Sequence, residues 1–319
     1  FENCIVVEEM CRVDSGLGGA LLLADFACEL ILRHGTEEQK QKYLPKVASG
    51  EFISAGAFTE PAHGSDITRM DTVAVKKGDE WEINGTKTLI SNATIADFYI
   101  VLCQTDTEVS PSYRGQSLFI VEKDVDGLDV TRFRGKLGCR SAPTGELSFS
   151  NVRVPEENLV GELNRGFYHS LEFFDESRIE IAAQGVGTAQ GAFERAFNYA
   201  KERIAFGKPI VEFQAVAHKL ADMAIKIETA RLLTYKAAWL ADQGQLDPAV
   251  SSMAKAHAGR IAVEVADEAI QILGGAGYLG ENEVERFYRD AKLTEIYEGT
   301  REIQKNTIVR YLLKRGVKS

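Results

Sequence analysis

The chain has 319 residues, of which 45% are hydrophobic and 26% are charged. This is ordinary globular composition, and the length allows two or three compact units. The formal net charge of −10 and the isoelectric point near 5.2 argue against nucleic-acid binding, which depends on basic patches that displace phosphate counterions.

The five cysteines are far apart and include no CxxC pair, so neither a disulfide framework nor a zinc site is indicated. There is no apolar run of membrane-spanning length, and the first residues are acidic where a signal peptide would be basic. We therefore expect a protein that is not secreted and not membrane-bound, in a bacterial cytoplasm or a mitochondrial matrix. Because Phe1 falls within a helical pattern, we also expect that an N-terminal piece is missing.

The first part of the chain, residues 1–50, is predicted to be helical. Thr36 and Gln39 have the spacing of a capping box, in which the two side chains close the first turn of a helix. This part is predicted to be a small helical unit.

Residues 51–162 change to the period of β-strands. Apolar residues alternate at Val73 and Val75 and again at Trp81 and Ile83. Turn signals stand at 76–79, at Asn84-Gly85 and at 126–127. A β domain is therefore predicted.

Residues 163–319 return to the helical period. Two buried stripes have helical spacing: Val216, Leu220, Met223, Ile227 and Ala230, and then Ile261, Val265, Ala269 and Ile272. Short connections at 207–209, 247–248 and 274–277 contain Gly or Pro. This pattern predicts an antiparallel helical bundle.

Several general motifs are absent. Gly274, Gly275 and Gly277 follow a helix and lack the spacing of a dinucleotide-binding GxGxxG, and neither GxSxG nor HExxH occurs. The five histidines have no partners at metal-ligand spacing in the sequence, so no metal is predicted.

An ordered series of segments carries more information than any single motif. In chain order these are AFTEPAHGSD (57–66), NGTKTLISN (84–92), FDESR (174–178), ERIAFGKPI (202–210), QILGGAGY (271–278), RDAK (289–292) and IYEGT (296–300). Over essentially the whole chain, this series resembles the acyl-CoA dehydrogenase family. The resemblance implies an N-terminal helical unit (1–50), a middle β-barrel-like antiparallel domain (51–162) and a C-terminal antiparallel four-helix bundle (163–319).

The resemblance also implies FAD as the cofactor. Thr59 to Ser65 are predicted to end a strand where small residues leave backbone N–H groups accessible, and in the family this stretch holds the isoalloxazine ring. A plain strand-to-turn connection is the alternative for these residues. An arginine such as Arg203 can make bidentate contact with pyrophosphate, and in the family it contacts the FAD of a neighbouring subunit, which implies a homotetramer. The implied cofactor residues are Phe58, Thr59, Gly64, Ser65, Ile90, Ser91, Arg203, Phe206, Gln214, Gln271, Gly274, Gly275, Thr300 and Glu302.

Glu298, within the IYEGT segment, matches the family's catalytic base. The α-proton of a thioester is too weakly acidic for a carboxylate in water, so the pKa of the base must rise through desolvation and the enolate must be stabilised by donors. Some family members carry the base at the position of Ser177, but Glu298 is present here. The implied substrate residues are Ser65, Asp175, Arg178, Tyr297, Gly299, Arg310, Leu22 and Asp25.

Three positions depart from the family's usual pattern. Leu89 replaces a tryptophan that lies against the flavin, and Gly18 replaces the arginine of glutaryl-specific members. Asp25 is an unexpected acid beside the cavity residue Leu22, and a spacing of three places both on one face if the segment is helical. The alternative is that Asp25 lies near the surface or pairs with Arg33 or Lys40.

The expected function is α,β-dehydrogenation of a short or medium acyl-CoA, with hydride transfer to flavin N5 and reoxidation by electron-transfer flavoprotein. The alternatives are a cyclic acyl-CoA dehydrogenase, an enoyl-CoA reductase, an acyl-CoA oxidase and a non-catalytic flavoprotein. An oxidase is less expected because its additional C-terminal helical region is not present in the sequence. Glu298 and the acidic charge weigh against the non-catalytic alternative.

Overall fold

The computed structural model describes residues 1–316, and the chain divides into two compact units. The helical unit comprises residues 1–21, 137–141 and the chain from residue 174 onward, and the β unit comprises residues 22–136 and 142–173. Among the described residues, no helix has both the length and the apolar character needed to cross a membrane.

The helices include three that exceed 25 residues. In chain order they are α1 (Glu2–Val13), α2 (Ser15–Leu22), α3 (Cys28–His34), α4 (Glu37–Ala48), α5 (Gly166–Glu202), α6 (Gln214–Asp242), α7 (Pro248–Leu273), α8 (Val284–Ala291) and α9 (Arg301–Arg315). The predicted capping box is confirmed at α4, where Thr36 and Gln39 exchange side-chain and backbone hydrogen bonds.

The long helices α6 and α7 pack against each other in the helical unit. Their buried residues confirm the predicted stripes from Leu220 to Ala230 and from Ile261 to Ile272, while Val216 is only half-buried. Asp247 caps the start of α7 by accepting hydrogen bonds from Ala249 and Val250. The predicted connection at 247–248 therefore starts this helix.

The β unit is built on one sheet, and a small hairpin lies in the helical unit. The strands are β1 (Ser54–Ala57), β2 (Val73–Lys77), β3 (Glu80–Ser91), β4 (Phe98–Gln104), β5 (Gln116–Glu122), β6 (Leu128–Arg132), β7 (Thr144–Pro155), β8 (Leu159–Val160), β9 (Ile204–Ala205) and β10 (Lys208–Pro209). The sheet order is β6-β7-β3-β2-β4-β5-β8, with β1 added to β4, and β9 and β10 form the hairpin. Most pairings are antiparallel, but β4 pairs in parallel with β1 and β2.

One predicted strand has the opposite face buried. In β2 the fully buried residue is Ala74, whereas Val75 is 45% exposed and Val73 is half-buried. The alternation was ambiguous because Val-Ala-Val is apolar at every position. Trp81 and Ile83 are buried as predicted.

The predicted turn at Asn84-Gly85 is wrong. Both residues lie inside β3, which continues to Ser91 and has a register irregularity between Ile83 and Gly85. Gly85 has φ +147°, and a Cβ there would lie 2.5 Å from Thr72. The glycine therefore permits a bulge and a close approach of two chain segments, not a hairpin turn.

Candidate active site

Glu298 lies on a short loop between a 3-10 turn at Lys292–Glu295 and α9. Its φ is +56° and that of Gly299 is +91°. The left-handed conformation is uncommon for a residue with a side chain and usually needs support from its surroundings. Directly after the loop, Thr300 caps the start of α9, where its hydroxyl accepts a hydrogen bond from the Ile303 N–H at 3.4 Å. The loop is therefore set between two ordered elements.

The Glu298 carboxyl contacts α5. The Ser177 hydroxyl donates to Glu298 Oε2 at 2.6 Å. Burial raises the pKa of the Glu298 carboxyl, although the Ser177 hydrogen bond and the positive charges of Arg178 and Lys255 oppose that rise. Ser177, where some family members carry the base, thus lies within hydrogen-bond distance of Glu298.

Arg178 is buried and links α5 to the loop. Its guanidinium donates to Asp175 Oδ1 at 2.8 Å and, through Nε, to the Glu298 carbonyl at 3.4 Å. Desolvation lowers the pKa of Arg178, while Asp175 and Glu298 favour its charged form. The three residues form a charged group in which the arginine supports the backbone of the loop.

Two buried side chains hold the backbone carbonyls of the loop. Gln304 Nε2 on α9 donates to the carbonyls of Glu298 at 2.8 Å and of Gly299 at 3.0 Å. Lys255 Nζ on α7 donates to the Gly299 carbonyl at 2.6 Å. Gly299 has φ +91°, and a Cβ there would also lie 2.7 Å from Gln304 Nε2, so glycine fits this position without strain.

The residue before the base is also fixed. The Tyr297 hydroxyl donates to Gln184 Oε1 on α5, and burial raises the pKa of Tyr297 well above its ordinary value. The phenol therefore stays neutral. Both neighbours of Glu298 are thus held by buried polar side chains.

Such a loop is suited to removing a weakly acidic proton. A desolvated carboxyl with a raised pKa is a stronger base than one in water. Among the described residues, the Glu298 backbone N–H makes no hydrogen bond. It is available as a donor to an oxygen on which negative charge develops.

The predicted cofactor residues of the helical unit lie at element ends. Arg203 and Phe206 lie at the β9–β10 hairpin, and Gln214 begins α6. Gln271 and the two glycines Gly274 and Gly275 lie at the end of α7. All six residues are exposed, as are Glu302 and Arg310 on α9.

The predicted residues of the β unit lie in the segment after β1 and at the end of β3. Phe58 is buried and stacks on Phe173, and the Thr59 carbonyl accepts from the Thr88 N–H. Farther along β3, Ile90 is buried and Ser91 is half-buried. Gly64 and Ser65 are exposed in a turn.

Leu22 and Asp25 do not share a helix face, so that part of the prediction is wrong. Helix α2 ends at Leu22, and residues 23–27 form turns. Leu22 is buried, whereas Asp25 is exposed at the surface, although nearby protein atoms raise the pKa of its carboxyl by desolvation. The helical prediction for residues 1–50 did not reveal this break.

Two histidines come together although their sequence spacing gave no sign of it. The rings of His34 and His169 stack with centroids 3.8 Å apart and planes inclined by 25°, and Glu172 is nearby. A metal lies about 2.0–2.1 Å from a ligating imidazole nitrogen and close to the ring plane. Nearly parallel stacked rings do not meet that requirement for one shared ion.

Sequence reasoning missed Lys255, Gln304 and Gln184. Lys255 lies on the buried stripe of α7 with Ser251, Ala258 and Ala262. A lysine at such a position could have been recognised from the sequence as a candidate buried charge. A charged residue at a core position of a helix is rare unless it has a partner. Gln304 and Gln184 gave no comparable signal because glutamine is common on exposed helix faces.

Comparison with protein families decides the assignment. The chain matches the N-terminal, middle and C-terminal domains of acyl-CoA dehydrogenase over residues 1–51, 55–152 and 164–313. The chain belongs to the acyl-CoA dehydrogenase family. It is an oxidoreductase of that fold, and FAD is the cofactor of the family.

Individual relatives of this acyl-CoA dehydrogenase agree. The chain is 44% identical to the short-chain-specific acyl-CoA dehydrogenase of Clostridium acetobutylicum, covering 95% of this chain and 80% of the relative. It is 42% identical to CarC, a subunit of the caffeyl-CoA reductase–Etf complex of Acetobacterium woodii, covering 98% and 82%. The solved butyryl-CoA dehydrogenase of Megasphaera elsdenii is 39% identical with a TM-score of 0.94, covering 97% and 81%.

The residues present fit FAD. Phe206 is 96% exposed, and Arg203 is exposed at the same hairpin. An exposed aromatic ring and an exposed guanidinium on one hairpin are groups that a pyrophosphate-bearing ligand or a partner chain would cover. In the β unit, Leu89 is 64% exposed and presents apolar surface next to Ile90.

Proposed function

We propose that this acyl-CoA dehydrogenase oxidises a short or medium acyl-CoA thioester to the trans-2-enoyl-CoA, with Glu298 as the base. The observation that carries the proposal is the environment of Glu298. Its pKa is raised by burial, and the backbone beside it is held by Arg178, Gln304 and Lys255. A solvated loop glutamate would need none of these supports.

The steps assigned to this chain follow from those contacts. Glu298 accepts the α-proton on its carboxylate, and its backbone N–H donates to the thioester oxygen as charge develops there. Arg178 and Gln304 keep the loop in its left-handed conformation, so the carboxylate is in position before substrate arrives. When bound, FAD supplies a hydride acceptor for the β-hydrogen.

The cofactor roles of the residues around Thr59, Ile90, Arg203 and Gln271 belong to the same proposal. The electron acceptor is proposed to be electron-transfer flavoprotein, since CarC is named as part of an Etf complex. We propose a homotetramer, because exposed Phe206 and Arg203 suit a site completed by a second subunit. A bacterial cytoplasm or a mitochondrial matrix is the proposed compartment, since relatives come from both kinds of source.

The substrate class is tested by anaerobic flavin bleaching with a series of straight-chain acyl-CoA thioesters. We expect the fastest bleaching with a short or medium chain, and none with the free acids. A preference for long chains would contradict the proposed substrate class. No bleaching by any thioester, with FAD fully bound, would contradict dehydrogenation itself.

A second candidate is reduction of an enoyl-CoA, and the 42% identity to CarC favours it. The same site would then return a proton from Glu298 to the α-carbon. Reduced enzyme mixed with crotonyl-CoA tests the reductive direction, and oxidised enzyme mixed with butyryl-CoA in a separate experiment tests the oxidative direction. Rapid flavin reoxidation by crotonyl-CoA and negligible bleaching by butyryl-CoA would favour the reductase.

A further inference from the structure

We propose that Lys255 is a positioning residue for this reaction, holding the turn after Glu298 and keeping the Glu298 carboxyl ionised as the pH falls. This inference rests on the proposed role of Glu298 as the base. Lys255 contacts the loop, not the reacting carbon, and acts through the base.

The geometry places a buried ammonium beside the catalytic loop. Lys255 is 1% exposed, and its Nζ donates to the Gly299 carbonyl at 2.6 Å. That carbonyl already accepts from Gln304 Nε2 at 3.0 Å. A neutral amide therefore meets part of the carbonyl's hydrogen-bonding need, and what Lys255 adds beyond a second donor is its charge.

A buried charge needs a reason, because desolvation penalises it strongly. Desolvation lowers the pKa of Lys255 to about 7, and the negative charge of Glu298 is the largest opposing cause. In return, the Lys255 charge lowers the pKa of Glu298 against the effect of burial. The two groups therefore titrate as a coupled pair.

The other charges that act on this pair lie on α5, on the 3-10 turn before the loop and on α9. Arg178 on α5 favours ionised Glu298 and disfavours charged Lys255. Glu295 in the 3-10 turn and Glu302 on α9 both favour charged Lys255. Arg178 stays charged throughout the accessible pH range, so Lys255 is the cation of the site that changes charge near neutral pH.

A specific pH dependence follows. Below about pH 7 wild-type Lys255 is charged, so it helps to keep Glu298 ionised where protonation would otherwise stop catalysis. Above that pH Lys255 loses its proton, and wild type and a neutral variant become electrostatically alike. The contribution of Lys255 should therefore appear on the acid side of the rate profile.

The test is the rate constant for anaerobic flavin bleaching by butyryl-CoA, measured from acid to alkaline pH on FAD-loaded enzyme. Lys255→Met should shift the acid limb of the rate–pH profile to higher pH by roughly 0.5 to 1 pH unit. At high pH its rate should approach that of wild type. Lys255→Arg keeps a cation and should keep the acid limb in place even if its rate is lower. Lys236→Met, at an exposed lysine on α6, is the matched control and should keep the wild-type profile.

A loss of rate in Lys255→Met that is equal at every pH would overturn the electrostatic role and leave only anchoring of the loop. A shift of the acid limb to higher pH in Lys255→Arg would also overturn the electrostatic role. This test stands even if Lys255→Met fails to fold. Glu298→Gln separates this test from the proposed function. Near-normal bleaching in Glu298→Gln would remove the base assignment, whatever Lys255 does.

Discussion

Glu298 is held in an environment that opposes its own ionisation. Its pKa is raised above the ordinary value of 4.5, so the folded protein binds the proton more tightly than the unfolded chain does. Between the unfolded and folded pKa values, stability therefore falls as the pH rises. Above the folded pKa this destabilisation is fully present, and below the unfolded pKa it is absent.

The first prediction is that Glu298→Gln is more stable than wild type at neutral pH, because the amide carries no charge to desolvate. The difference should shrink as the pH falls and disappear below the ordinary carboxyl pKa. Thermal unfolding of the FAD-loaded proteins across this range checks it. A Glu298→Gln protein that is less stable than wild type at neutral pH would show that attraction to Arg178 and Lys255 outweighs the desolvation of Glu298.

Leu89 is an exposed apolar residue with a left-handed backbone, at φ +58°. In the family a tryptophan commonly lies here against the flavin. We predict that Leu89→Trp changes the flavin absorption spectrum and the rate of reoxidation by electron-transfer flavoprotein, while substrate bleaching changes little. An effect seen only in bleaching would place Leu89 on the substrate side instead.

Single-residue roles can be proposed from the sequence only where a short motif carries them. Glu298 is proposed as the base from its five-residue segment, and Arg178 as the support of the loop from its own segment. The roles of Lys255 and Gln304 could not be proposed in this way. Both residues donate to the Gly299 carbonyl, which is 44 positions from Lys255 and 5 positions from Gln304. Such contacts depend on how α7 and α9 pack, which local sequence does not encode.

At the scale of elements, a buried ion pair joins β3 to the segment after β1. Lys87 Nζ lies 2.8 Å from Glu60 Oε1, and both side chains are buried. Glu60 also accepts from the backbone N–H groups of Asp71 and Thr72. The pair therefore fixes the segment that contains the proposed flavin residues Phe58 and Thr59.

We predict that Lys87→Met destabilises the protein by about 3–5 kcal/mol, because it leaves the buried carboxylate of Glu60 without its cation. The double variant Glu60→Gln/Lys87→Met should recover part of that loss. Urea unfolding of FAD-loaded protein measures both. A loss below about 1 kcal/mol in the single variant would mean that the backbone N–H groups satisfy Glu60 alone.

Helices were predicted better than strands, for a physical reason. The stripes of α6 and α7 repeat over several turns, so their buried faces could be read from sequence. In β2 the buried residue is Ala74, but the valines on either side are also apolar, so the alternation did not identify it. Gly85 is glycine because a side chain there would clash with Thr72, and the sequence was mistaken for a turn. Both errors arise from tertiary packing that overrides a short local pattern.

At the scale of the whole molecule, the family and its fold could be predicted from the ordered segments. The finer division at residues 50 and 162 remains a prediction. The assembly could not be derived from one chain, although the helical unit leaves large apolar side chains exposed, including Phe206, Tyr278 and Leu313. Exposed side chains of this size are typical of surfaces that bind another subunit or a ligand.

We predict that Arg203→Ala weakens FAD retention by about tenfold or more, because it removes a charge-assisted contact to pyrophosphate. Flavin content after dilution and gel filtration measures this, with oligomeric mass recorded in the same run. Lys236→Ala, at an exposed position of α6, is the control. Full FAD retention by the arginine variant would show that Arg203 does not bind the cofactor.

The central claim is that Glu298 removes the α-proton. Glu298→Gln should bind FAD normally, since the proposed contacts of FAD lie elsewhere. The glutamine amide, however, cannot accept the α-proton. Anaerobic stopped-flow bleaching by butyryl-CoA should therefore slow by at least about 10² to 10⁴. Bleaching at close to the wild-type rate, with FAD fully bound, would contradict the account.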